Sequence, residues 1–161
     1  MYKLITLGFV MAALCCNSIF AAIPFGQDID LQSVYSRVSK MEDMGKYDAA
    51  QKIYDSIIAE SVEKQDKVAE AFFTRLKGRT YLHADFYDSA MLYANKARNL
   101  SLTINNDSIF GLALLNIGSI NMRIGEMDSA YYYYSLSLKV FTETNDTLNM
   151  ADALHGLTNY Y

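Results

Sequence analysis

After about residue 30, apolar side chains recur every three or four positions, the spacing that lays one buried stripe along a helix. Ala130, Tyr134, Leu138 and Phe141 form one stripe. Ala50, Tyr54, Ile57, Ile58 and Val62 form a second, and Ala90, Ala94, Ala97 and Ile104 a third made of smaller residues. Each predicts a helix of about 17 residues, roughly 25 Å long at 1.5 Å per residue. A partner helix precedes each one, at approximately 31–44, 67–83 and 107–124. The last is the clearest, with Phe110, Ala113, Leu114, Ile117, Gly118 and Ile124 on one face. A further helix opens near Asp146 and carries Leu154, Leu157 and Tyr161.

The stripes repeat. Tyr47-Asp48-Ala49-Ala50, Tyr87-Asp88-Ser89-Ala90 and Met127-Asp128-Ser129-Ala130 each end on an alanine, and these alanines stand 40 residues apart. A fixed period of that size predicts a solenoid of equal helical hairpins sharing one core. Gln65-Asp66, Asn105-Asn106-Asp107-Ser108 and Asn145-Asp146-Thr147 join the units and supply side chains that cap helix amides. Gly45, Asp85 and Gly125 fall at the turns inside the units, where the backbone needs a positive φ. Gly78 and Gly118 lie one period apart, each twelve residues before its alanine. Glycine inside a helix costs about 1 kcal/mol relative to alanine, so close packing of Gly78 on Ala90 and of Gly118 on Ala130 is expected. The reading is one all-α domain over 31–161, in units of about 31–66, 67–106 and 107–146 with a partial unit at 147–161.

Residues 116–134, Asn116-Ile117-Gly118 through Ile124-Gly125-Glu126-Met127-Asp128-Ser129-Ala130 to Tyr134, resemble a tetratricopeptide repeat. In that pattern Gly118 is the small residue of the first helix, Ala130 the small residue opening the second, and Tyr134 the large residue packed after it. Gly78, Tyr81, Ala90 and Ala97 match in the second unit, and Ala50 and Tyr54 in the first. The resemblance implies a right-handed α-solenoid of antiparallel helix pairs, about three and a half repeats long, over residues 31–161. The family unit is about 34 residues, against 40 here, and its closing proline is missing. Lys77 and Arg37 stand where an apolar residue is expected, and Asn121 replaces the usual aromatic.

The same resemblance implies a concave groove lined by first helices, with Tyr35, Arg75, Arg79, Asn116, Ser119, Arg123, His155 and Asn159 as candidate binding residues. Arg75 and Arg79 are four apart on one helical face. Arginines there suit bidentate pairing with carboxylates of a peptide. The expected partner is a protein or peptide, and the family likeness extends to exported repeat regions of bacterial envelope sensors and regulators. A glycan- or small-ligand-binding envelope protein using groove tyrosines is the alternative. The last helix, with Leu154, Leu157, Tyr160 and Tyr161, carries more apolar surface than a good end cap. It is read as part of a longer array, with self-association through that end as the other option.

Composition narrows the function. Met1-Tyr2-Lys3 followed by an uncharged run from Leu4 to Cys16 and then Asn17-Ser18-Ile19-Phe20-Ala21-Ala22 has the layout of a secretory signal, with cleavage expected after Ala21 or Ala22. If uncleaved, residues 4–22 are the membrane anchor, and 23–30 are a lead-in either way. Cys15 and Cys16 are the only cysteines, so a mature chain has neither disulfides nor thiolate metal sites. Losing the signal removes one positive charge, Lys3, taking the net charge from −4 to −5. An acidic chain of this kind has no electrostatic footprint for nucleic acid. His83 and His155 are the only histidines and have no converging carboxylates in the sequence pattern. No phosphate loop or nucleophile elbow is present. A non-enzymatic protein without metal or cofactor is expected. Of the run Tyr131–Tyr134, Tyr134 is expected in the core and Tyr131 partly so, with Tyr132 and Tyr133 outside, because neighbours on a helix point about 100° apart.

Overall fold

The computed structural model describes residues 31–158. The segments read as signal and lead-in (1–22 and 23–30), Cys15 and Cys16, and Asn159, Tyr160 and Tyr161 lie outside the described residues. Among the described residues seven helices follow one another: α1 (Leu31–Asp43), α2 (Tyr47–Glu63), α3 (Lys67–His83), α4 (Tyr87–Thr103), α5 (Asp107–Ile124), α6 (Met127–Glu143) and α7 (Thr147–Thr158). Every helix packs on its neighbours in sequence, and α3 also meets α5, as α5 meets α7. The result is an all-α helical solenoid in which the first helices of successive units lie side by side.

All six turns are built alike. Gly45, Gln65, Asp85, Asn105, Gly125 and Asn145 each hold φ between +51° and +86°, one every 20 residues. The amide that follows each one bonds back five residues, from Lys46 to Met41, Asp66 to Ser61, Phe86 to Tyr81, Asn106 to Ser101, Glu126 to Asn121 and Asp146 to Phe141, at 2.8–2.9 Å. These bonds close the orphan carbonyls of each helix end. At the three turns between units the next residue also caps the following helix. The amides of Ala69, Ile109 and Asn149 donate to the side chains of Asp66, Asn106 and Asp146 at 2.9, 2.9 and 3.1 Å. The positive φ at Gln65, Asn105 and Asn145 goes beyond the sequence reading, which placed it at Gly45, Asp85 and Gly125 alone.

The core runs along the stack in linked clusters, with Val38, Tyr54, Phe73 and Ile109 at one end, Ala90, Ala94, Ile117 and Ile120 in the middle, and Leu112, Phe141 and Ala153 towards the other. Ala50, Ala97 and Ala130 are buried as the repeat requires. Gly78 meets α4 backbone, since a Cβ there would lie 3.1 Å from the Ala94 nitrogen and 3.3 Å from the Ala90 carbonyl oxygen. Gly118 does something else. A Cβ on it would stand 2.9 Å from the Tyr134 ring, so its role is to admit an aromatic rather than to meet Ala130. Gly156 of α7 approaches the same ring from its own helix, and Gly111 makes the equivalent room for Phe141.

Other sequence expectations shift in detail. Val62 and Ile124 are exposed, while Ser61 and Ser101 are buried and donate to the Ile57 and Arg98 carbonyls. Tyr131 is 42 % exposed, whereas Tyr133 is half-buried against the Leu82 and Ile117 cluster, the reverse of the order expected for those two. The Tyr131 position faces away because α6 turns its stripe through Ala130, Tyr134, Ser137 and Phe141. Lys77 is buried at its apolar position; its ammonium binds Asp55 and sits 4.5 Å from the centre of the Tyr93 ring. Burial opposes that charge, but the bonds to Asp55 and Tyr93 outweigh it and hold the Lys77 pKa above the ordinary value.

Candidate functional site

A groove of about 430 Å³ opens along the first helices. Its lining follows the repeat. Tyr35, Arg75, Leu115 and His155 occupy one column at intervals of 40, and all four line it. Phe72, Leu112 and Asp152 make a second column, and Leu76, Asn116 and Gly156 a third. Tyr134 reaches in from α6 and donates its hydroxyl to Ser119 Oγ at 3.1 Å, while Ser119 donates to the Leu115 carbonyl at 3.0 Å. Burial pushes the Tyr134 phenol above its usual pKa, so it remains a donor.

Six of the eight residues anticipated from sequence come together here: Tyr35, Arg75, Arg79, Asn116, Ser119 and His155. Arg123 does not. It stands one turn beyond Ser119 in the last turn of α5, exposed, and is outside the groove lining. Asn159 lies outside the described residues. Sequence reading missed the apolar walls Phe72, Leu112 and Leu115, the buried Asn149 and the rim residues His83 and Asp152. The 40-residue columns held the signal for most of these, because Phe72, Leu112 and Asp152 share one register.

Positive charge concentrates on α3. Arg75 is only 6 % exposed and its guanidinium lies 5.2 Å from the Phe72 ring centre. The Arg79 guanidinium lies 5.8 Å from the ring centre of Tyr35. Neither Nε has a hydrogen-bond partner among the described residues. Burial, and secondarily the charge of Arg79, brings the Arg75 pKa down to about 9, so it is still cationic at neutral pH. Asn116 ties the floor of the groove together by donating to the Arg75 carbonyl at 3.2 Å.

Beside the arginines, Glu42 of α1 accepts from Thr80 and faces His83 Nδ1 at 3.7 Å. Burial alone would raise this carboxyl, but the facing His83, the hydrogen bond from Thr80 and the nearby Arg79 charge outweigh it and hold its pKa below the usual range. Tyr54, buried behind the same cluster, has its phenol pushed up to about 12, chiefly by burial. The groove therefore offers two guanidiniums, an amide, hydroxyls and apolar walls, a set suited to holding an anionic and partly apolar ligand. Among the described residues no group of three or more His, Cys, Asp or Glu side chains is placed to hold a metal ion. No helix among them is long and apolar enough to cross a membrane.

A scan of the chain against protein-family models finds no match, and a search of curated protein sequences finds none either.

Proposed function

We propose that this chain is a non-enzymatic, exported scaffold of tetratricopeptide type that holds a protein or peptide segment in its concave groove, as the sensory part of a larger envelope regulator. The observation that carries this reading is the groove itself. Four first helices supply one column of lining residues, Tyr35, Arg75, Leu115 and His155, so a bound segment crosses successive layers rather than touching a single loop. The repeat phrases around Ala50, Ala90 and Ala130 support the family likeness, and the basic start and apolar run of residues 3–16 support export.

A photo-crosslinking side chain at Leu115 tests the reading. Irradiation in an envelope extract is expected to capture a discrete protein or peptide, and the same probe at exposed Leu92 on α4 is expected to capture none. Equal labelling from both positions sinks the proposal. A second reading, a small-ligand or glycan site, draws support from the groove volume of about 430 Å³, which falls in the range of small-molecule pockets. The groove tyrosine Tyr35 would then stack on the ligand. Loss of a glycan-array signal on Tyr35→Ala distinguishes it.

A further inference from the structure

Two first helices of the stack present the same stripe to the helix that follows. On α3 it runs Lys67, Ala71, Thr74 and Gly78, and on α5 Asp107, Gly111, Leu114 and Gly118. Steps of four, three and four keep these residues on one side of a helix. The last three of each set are buried, since Gly78 meets the α4 backbone and Gly111 and Gly118 meet the α6 rings Phe141 and Tyr134. On α7 the same register holds Thr147, Ala151, Leu154 and Thr158. All four are exposed, Leu154 at 47 % against 1 % for Leu114. The helix packs on α6 and α5, and its buried residues, Asn149, Ala153 and Gly156, lie on the opposite side.

Two features of the bare stripe select what fits it. Thr158 replaces the glycine of α3 and α5, and its side chain holds a neighbouring backbone or ring further off. A wider seat results, as on α1, where Val38 has this register and is buried. The stripe is also its own complement. Laid antiparallel about a two-fold axis level with positions 152 and 153, Leu154 falls on the Ala151 of a second copy and Thr147 on its Thr158, each contact occurring twice. Large then meets small along the seam. No charge lies on it, whereas Lys67 and Asp107 head the internal stripes, so self-pairing brings no like charges together.

We propose that this face of α7 docks a second copy of the chain, α7 against α7 and antiparallel. The proposal does not depend on what the groove holds. With 12 residues, α7 spans about 18 Å. A single helix pair of that length stays below the roughly 1,200 Å² of a stable complex, so the dimer exchanges with monomer as concentration changes.

Sedimentation velocity on the full chain, across a dilution series, is the first test. Association is expected to weaken at least about tenfold in Leu154→Glu, which places two carboxylates in the seam. Leu92→Glu, at an exposed leucine of α4, is expected to leave it unchanged. The second test reads orientation. In chains carrying Cys15→Ser and Cys16→Ser, a short bis-maleimide is expected to join Thr147→Cys chains to Thr158→Cys chains when the two are mixed. Neither variant alone is expected to crosslink, because like positions stand about 16 Å apart along an antiparallel pair.

A chain that stays monomeric up to about 1 mM overturns the proposal. So does association that Leu154→Glu leaves intact or that Leu92→Glu weakens equally. Crosslinking within one variant as strong as in the mixture, or none in the mixture, overturns it too. If Leu154→Glu loses its helical circular dichroism, the crosslinking pair, which keeps Leu154, decides alone.

Discussion

Tyr134 is the residue on which the far end of the stack turns. Its ring fills space left by Gly118 on α5 and Gly156 on α7, while its hydroxyl reaches Ser119 at the groove wall. A methyl group at Gly156 would stand 2.5 Å from the ring, closer than carbon atoms tolerate. Gly156→Ala is therefore expected to destabilise the protein by about 1–3 kcal/mol despite the better helix propensity of alanine, as measured by urea unfolding. Gly78 marks the contrast. Residues 94 and 134 are in the same register, but Ala94 is small and lets the α4 backbone itself come close to Gly78. Gly78, Gly118 and the approach of Gly78 to Ala90 were legible from the repeat, and Gly156 and the Tyr134 ring against Gly118 were not. An identical glycine serves backbone contact in one layer and ring insertion in the next, and only the residue across the seam decides which.

The helices are set by their ends as much as by their stripes. Six left-handed residues at intervals of 20 follow α1 to α6, and α2 to α6 each run 17 or 18 residues. Glycine announces two of them, and Asp85 was readable because aspartate tolerates that region. Gln65 was not readable, since its side chain has no particular liking for φ of +58°. There the backbone bond from Asp66 to Ser61 and the Asp66 cap on Ala69 impose the turn. Two substitutions at this junction have opposite expected signs. Gln65→Gly relieves left-handed strain and is expected to raise the melting temperature, by an amount worth up to about 1 kcal/mol. Asp66→Ala deprives the Ala69 amide of its acceptor and is expected to lower it by about 1 kcal/mol. Differential scanning calorimetry on both variants checks the pair.

For the whole molecule, stability is close to a sum of layers and the contacts between neighbours. The first layer is joined to the second partly through Glu42, which binds Thr80 and His83 of α3. Because the folded state lowers its pKa, Glu42 contributes stability that is full above its ordinary value of 4.5 and is lost as pH falls through the lower folded value. Glu42→Gln is thus expected to be less stable than the parent at pH 7 and to converge with it in acid, as read by thermal melts across that window. Tyr54 works at the other extreme: its phenol, raised from 10.0 to about 12, contributes stability present below pH 10 and lost towards pH 12. The groove was legible at this scale in outline. The family resemblance picked out Tyr35, Arg75 and His155, which share one 40-residue register, but burial of Arg75 without a counter-ion depends on how the helices close around it, which no single stretch of sequence encodes.

Equal spacing of the turns also makes the chain modular in a literal sense. Excising residues 67–106 would bring Asp66 directly before Asp107, so the aspartate that caps α3 would cap α5 in its place. A shortened stack of the same shape follows from that splice, whereas a cut of half that length would flip every later helix to the opposite face. The excised layer is also the one that carries both groove arginines. Length and chemical preference are therefore separable in this architecture: one cassette can be lost while the spool survives without its positive tooth.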